Sequence, residues 1–204
     1  RMANVRGPRS QARRAEILKV AADLFMSQGY EGVSVDAIVD RAGGTKTNIY
    51  TMFGDKAGLL GAVVDEQCKA AAIPFADVVA SDVKLQAGLQ AIGQQYLAAL
   101  YSKNSIRLHR LMIAEAPRFA ALSRKWFNAY PEAARKALGA FLATHKVASR
   151  GAELRLAGIF LGMLAGEQLV KQLAGGTATP APADIKDQVR QCVSMFLAAV
   201  QAKS

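Results

Sequence analysis

Apolar positions recur along this chain at spacings of three and four. No segment alternates β-branched and polar residues at period two, so every segment reads as helix. A first helix is predicted over about 11–28, with Ile17, Val20, Ala21, Leu24 and Phe25 on one face and Gly29 as its stop. Between residues 34 and 60 the pattern shortens into three brief helices, each opened by a residue suited to capping. Ser34 opens the first, and Val33 and Ile38 are placed as a hydrophobic staple across the cap. Ala42-Gly43-Gly44 then supplies a tight turn, where small residues let two helices cross closely. Thr45 opens the second, Lys46 to Phe53, and Asp55 opens a third beginning at Lys56. Within the second, Ile49 and Phe53 lie four apart and point inward, with Met52 beside them.

Downstream, the helix from Lys56 is predicted to break near Pro74. An amphipathic helix follows over 83–102, carrying Leu85, Leu89, Ile92, Tyr96, Leu97 and Leu100. Ser105 is predicted to cap 106–116, which Pro117 ends. Helices over 119–128 and 131–145 follow, the latter with Pro131 at its start, where the missing N–H is harmless. The segment 152–173 is long and unusually apolar, 175–182 is a loop, and 184–202 is the last helix. The expected fold class is all-α: an N-terminal three-helix helix-turn-helix head over 9–55 and a helical-bundle body over 56–204.

The short helix 46–53 is the candidate DNA reader. Its outer face shows Lys46, Thr47, Asn48, Tyr50 and Thr51, donors and acceptors of a length suited to base edges and phosphates. An ordinary polar surface face has the same composition, so the face alone does not decide. Charge adds to the picture. The chain of 204 residues carries a net +10, which fits a nucleic-acid partner. Residues 1–60 hold nine Lys/Arg against six Asp/Glu, so the excess is spread over head and body. Within the head it gathers in Arg1, Arg6, Arg9, Arg13, Arg14 and Lys19, read either as a basic arm tracking the phosphate backbone or as a solvated tail.

The run Arg13-Arg14-Ala15-Glu16-Ile17-Leu18 through Ala22, Leu24, Phe25, Gly29 and Tyr30, then Ser34, Ile38, Ala42-Gly43, Thr45, Tyr50, Phe53, Lys56 and Leu59, resembles the DNA-binding domain of the TetR (tetracycline repressor) family. The segment Arg107 to Phe119 resembles the body of its AefR-like subgroup. The resemblance implies a dimeric, one-component transcription regulator whose body binds an inducer. It implies that Ser34 and Thr45 meet phosphates, that Lys46, Thr47 and Asn48 lie closest to base edges, and that Tyr50 and Thr51 touch phosphate or a thymine methyl. Lys56, at a helix N-terminus, would bind phosphate with the help of the helix dipole. Three departures bear on the operator sequence. Gly44 stands where the family has a branched apolar residue, Thr47 replaces a glycine, and Thr51-Met52 replaces a histidine–aromatic pair.

The resemblance also implies a small-molecule pocket in the body. Candidate lining residues are Tyr96, Leu100, Met112, Phe119, Trp126, Phe127, Tyr130 and Met163, although aromatic and methionine side chains equally build plain core. Glu115, in an apolar stretch, needs a partner if buried: an arginine such as Arg110 or Arg118, or a cationic or hydrogen-bond-donating ligand. Gly158, Gly162 and Gly166 recur every four residues and make a flat stripe for close helix approach. With Val189, Val193 and Phe196 of the last helix they form the expected homodimer interface, unless the stripe packs within one subunit.

The reading is a ligand-responsive, sequence-specific regulator, expected to repress, whose dimer reads a palindromic double-stranded operator and leaves it on binding a small, largely apolar inducer. The alternatives are an activator, a regulator answering a signal other than a small molecule, and a non-specific basic DNA binder. Enzyme activity is not expected. His109 and His145, the only histidines, lie in no nucleophile–base or metal constellation, and His109 reads as a surface residue. No cofactor and no metal site is expected. Cys68 and Cys192 lack metal or disulfide spacing and read as buried thiols rather than redox sensors. The longest apolar run, 157–166, is too short for a membrane span, and the polar N-terminus shows no signal segment, so a cytoplasmic protein is expected.

Overall fold

A computed structural model describes residues 7–70, 83–129, 131–147, 151–176 and 179–201. Among them every regular element is an α-helix, as the periodicity predicts. The expected break near Pro74 and the side chain of Tyr130 lie outside the described residues. The chain divides into two compact units, Arg1–Ala70 with Arg107–Trp126, and Ala71–Ile106 with Phe127–Ser204. Compactness thus groups the helix Lys56–Ala70 and the 107–126 segment with the head, a division different from one drawn by role at residue 56.

In the first unit, α1 (Pro8–Gln28) starts three residues earlier than the sequence predicts, because Pro8 is tolerated in a first helical turn. It ends where the Gly29 N–H bonds the Phe25 carbonyl. The three short helices follow as the caps foretell. The Ser34 hydroxyl accepts the Ala37 N–H at 3.0 Å and opens α2 (Val35–Ala42). The Thr45 hydroxyl accepts the Asn48 N–H at 3.3 Å and opens α3 (Lys46–Phe53). The Asp55 carboxylate accepts the Gly58 N–H at 2.6 Å and opens α4 (Lys56–Ala70). Val33 and Ile38 are both buried, as a staple requires. One core joins Ile17, Ala21, Leu24 and Phe25 of α1 to Ile38, Ile49, Leu59 and Val63. Leu108, Leu111 and Met112 of α6 (Lys103–Glu115) and Trp126 of α7 (Ala120–Ala129) complete it.

The cap of α6 differs from the expectation on Ser105. The Ser102 hydroxyl accepts the Ser105 N–H at 3.3 Å, so the helix begins one turn earlier. Both serines carry the same local signal, and the preceding helix ends at Leu100, early enough for Ser102 to use it.

The second unit is built around α5 (Leu85–Leu100), which packs against α8 (Pro131–Thr144), α9 (Glu153–Leu173) and α10 (Pro182–Gln201). Two glycines allow these approaches. A methyl on Gly88 would fall 2.1 Å from Phe141 Cζ, and one on Gly93 would fall 2.8 Å from Val189 Cγ1. The core unites Leu89, Ile92, Leu138, Phe141, Phe160, Leu164, Val189, Val193 and Phe196.

The apolar α9 is not the straight helix its sequence predicts. Gly166 adopts φ 48°, ψ −152°, and interrupts it. Side chains reach the carbonyls that precede Gly166. Gln188 donates to Leu164 O at 2.6 Å, Tyr101 to Ala165 O at 2.9 Å, and the Cys192 thiol lies 3.6 Å from Met163 O. Buried carbonyls without such donors would be costly, so these side chains make the break tolerable.

The expected dimer residues are accordingly redistributed. Val189, Val193 and Phe196 are spent in the core of their own unit and have no surface left to offer a second subunit. That assignment is corrected: the large apolar side chain α10 leaves exposed is Met195 (56%). Gly158 lies against Arg135 of α8, whereas Gly162 and Gly166 face open space.

Candidate nucleic-acid interface

The first unit presents α3 by its inner edge. Ile49 is fully buried, with Met52 and Phe53 half-buried beside it, so helical geometry turns Lys46, Thr47, Asn48, Tyr50 and Thr51 outward. All five are exposed, including Tyr50, which is large enough that exposure is unusual. Ser34 and Thr45 spend their oxygens on capping but keep hydroxyl protons available to an acceptor. The face therefore offers amide, hydroxyl and ammonium donors from one rigid short helix.

Two lysines flank it in different states. Lys46 Nζ lies 2.8 Å from Asp36 Oδ1 of α2, and the hydrogen bond and charge of that carboxylate raise the ammonium's pKa. Both groups are exposed, so the pair is weak and can be exchanged for a phosphate. Lys56, half-buried at the start of α4, instead sits over the Tyr30 ring, its Nζ 4.2 Å from the centroid.

Arg13 is a residue the sequence reading misplaced. It was read with a basic arm or solvated tail, yet its Nη1 donates to the Ala42 carbonyl at 2.7 Å across the head. Its guanidinium covers the turn between α2 and α3. A methyl on Gly44 would lie 3.2 Å from Arg13 Nη2 and 3.3 Å from Asn48 Nδ2. Gly44 also has φ +93°, a conformation that a branched residue resists. The missing branched residue is thus replaced by an arginine reaching over from α1. The signal was available: Arg13 stands one turn before Ile17 on the stripe that continues to Ala21. Arg14 likewise packs on the head, its Cζ 5.3 Å from the Phe53 ring centroid. Arg13→Ala is expected to lower the head's stability by about 1–2 kcal/mol, the value of a charged hydrogen bond that is partly solvated. Urea denaturation checks this, with the exposed Arg9→Ala expected to change nothing measurable.

The residues predicted to line a ligand pocket are shared between the two units. Met112, Trp126 and the partly buried Phe119 belong to the first core; Tyr96, Leu100 and the partly buried Met163 belong to the second. Phe127 is exposed. Glu115 accepts the Tyr30 backbone N–H at 3.2 Å, while Arg118 pairs with Glu31. A main-chain donor thus meets the need that Glu115 was expected to fill with an arginine or a ligand. His109 is not a surface residue: it is buried, edge-on to Trp126 at 4.9 Å between ring centroids. Burial pushes the thiols of Cys68 and Cys192 above their ordinary pKa, which keeps them protonated and poorly reactive.

Comparison with known proteins agrees with this geometry. Residues 17–63 match the family described as bacterial regulatory proteins, tetR family. Residues 87–202, more than half of the chain, match the C-terminal domain of AefR-like transcriptional repressors. The HTH-type transcriptional repressor BdcR of Escherichia coli (strain K12) is 36% identical over 67 residues, 33% of this chain and 34% of BdcR. The likeness thus spans about a third of that relative's length. The crystal structure of a TetR-family transcriptional regulator from Mesorhizobium loti MAFF303099 has a TM-score of 0.84 at 26% identity, covering 95% of this chain and 98% of that one. The flavonoid-responsive regulator FrrA shares the fold, with a TM-score of 0.73 at 23% identity over 93% of this chain and 97% of its own. The chain belongs to the TetR family of bacterial transcriptional regulators, with a body of the AefR-like repressor type.

Proposed function

We propose that this regulator represses by binding a palindromic operator as a homodimer and is released by a small, largely apolar inducer. The observation that carries the DNA half is the exposed face of α3, anchored by Ile49 and opened by the Thr45 cap. In this reading Lys46, Thr47 and Asn48 meet base edges. Ser34, Thr45 and Lys56 hold phosphates at helix N-termini, and Tyr50 and Thr51 contact backbone or a thymine methyl. By role, residues 9–55 read DNA and residues 56–204 bind ligand and partner. Selection of binding sites from random duplexes tests this. The expected product is an inverted repeat whose half-sites lie about 34–36 Å apart, one helical turn. Recovery of no common sequence would favour a general basic DNA binder.

The dimer face is reassigned to the exposed side of α9 and α10. Ile159 and Gly162 lie three apart before the Gly166 break and Val170 lies beyond it, and Ile159 and Val170 are 50% and 64% exposed. Met195 of α10 is the exposed apolar side chain to set beside them. Gly162 tests this cleanly, because a Cβ added there meets nothing within 4 Å inside its own chain. Gly162→Arg is expected to shift sedimentation from dimer to monomer with the melting temperature of the isolated chain unchanged. A protein that stays fully dimeric would move the interface elsewhere.

The flavonoid-responsive regulator FrrA shares this fold, which supports a small-molecule signal, with Tyr96, Leu100 and Met163 of the second unit as lining candidates. Release follows only if the inducer binds the operator-incompetent state more tightly than the competent one. No described helix is long and apolar enough to cross a membrane.

A further inference from the structure

We infer that Tyr30 is a positioning residue for the phosphate grip of Lys56, and that the turn after α6 holds Tyr30 in place; this rests on the DNA-binding reading above. Tyr30 follows the end of α1, and its ring is clasped from several sides. It stacks on Phe25 at 5.8 Å between centroids, and Phe119 meets it edge-on at 4.7 Å. Its backbone N–H is held by Glu115 at 3.2 Å. Arg118 Cζ lies 5.7 Å from the ring centroid and pairs with Glu31, the residue after Tyr30. On this fixed ring rests Lys56 Nζ, 4.2 Å from the centroid.

The chemistry of that seat differs from an ion pair. Lys46 has its charge offset by Asp36, and a phosphate must displace a carboxylate to use it. An aromatic face attracts an ammonium without neutralising it. Lys56 is therefore seated at the N-terminus of α4 on a ring that leaves its charge in place, where the helix dipole already favours an anion. A lysine stem free of the ring would have to lose its rotamer freedom when it reached the phosphate. Glu115, Arg118 and Phe119 all belong to the 107–126 segment, some 85 residues beyond the loop they clasp. A change in that turn would loosen the Tyr30 ring and weaken the grip of Lys56 without touching DNA.

The test is salt-titrated fluorescence anisotropy of the full-length dimer on the duplex selected by the wild-type protein. The variants are Tyr30→Met, Tyr30→Phe, Lys56→Ala and the double variant Tyr30→Met/Lys56→Ala. Met fills most of the ring's volume without an aromatic face and leaves every charge in place. Tyr30→Met is expected to weaken binding about three- to fivefold per head, the effect of losing a partly exposed cation–π contact. It is also expected to flatten the slope of log K against log salt by up to about 0.9 per head, one phosphate contact. Tyr30→Phe should behave as wild type. In the Lys56→Ala background Tyr30→Met should cost nothing further, because the ring acts through that lysine.

An equal loss in both backgrounds would make Tyr30 merely structural and overturn the inference, as would an unchanged salt slope in Tyr30→Met. If Tyr30→Met fails to fold, Phe119→Leu takes its place, with the same slope change and the same silence in the Lys56→Ala background expected. A wild-type protein that cannot tell its selected duplex from scrambled DNA would sink the DNA-binding reading itself, a separate outcome.

Discussion

Replacing Asn48 by alanine is expected to weaken operator binding by roughly 10- to 100-fold per head while leaving the melting temperature unchanged. A side-chain amide can bond an adenine edge through two hydrogen bonds, and such a pair is worth about 1–3 kcal/mol of discrimination. Asn48 is exposed in the first turn of α3, where a recognition helix comes closest to base edges. Its role in the cap is played by its backbone N–H, which any residue but proline supplies, so the helix survives the substitution. The loss should therefore fall on specific DNA and spare scrambled DNA. Equal weakening on both would demote Asn48 to a backbone contact. Anisotropy on the two duplexes, with a thermal melt of each protein, separates these results.

Gly88→Ala is expected to be the most damaging single-methyl change in the second unit. The added carbon would fall 2.1 Å from Phe141 Cζ and 2.7 Å from Cε2, and Phe141 is fully buried. The ring is buried in the core of the second unit, so the overpacking should cost about 1–3 kcal/mol or more. In a chain of this size that corresponds to a fall in melting temperature of roughly 3–10 °C. Phe141→Leu alone should also destabilise, by leaving space behind. Combined, the two changes should cost less than the sum of their separate effects, because the smaller side chain makes room for the methyl. Additive losses would mean that α5 and α8 do not meet at this point.

The head was legible because its signals are local. A serine, threonine or aspartate three residues ahead of a free N–H caps a helix wherever that helix goes, and Ser34, Thr45 and Asp55 all do so. The outer face of α3 follows from the buried Ile49 and the half-buried Phe53, four residues apart. What failed to read out was direction. Val189, Val193 and Phe196 form a plain apolar stripe, and nothing in the stripe tells whether its partner lies in the same chain or another. Three glycines at equal spacing do three different things: Gly158 lies against Arg135, Gly162 faces open space, and Gly166 breaks the helix. The ligand candidates were illegible for a related reason, since aromatic core and aromatic pocket have one composition. Arg13 and Tyr30 were missed because charge and aromaticity were counted by segment, whereas both act across long sequence separations.

The central claim is sequence-specific DNA binding. The most direct test is fluorescence anisotropy of the purified protein on DNA from its own upstream region, at physiological salt, with scrambled DNA as competitor. Non-specific affinity is nearly all electrostatic and indifferent to sequence, whereas specific sites are typically about 10³- to 10⁷-fold tighter. The expected result is tight binding that a large excess of scrambled duplex does not displace. Displacement at equal concentrations, persisting on a duplex selected by the protein itself, would contradict the account and leave a basic protein that binds any DNA.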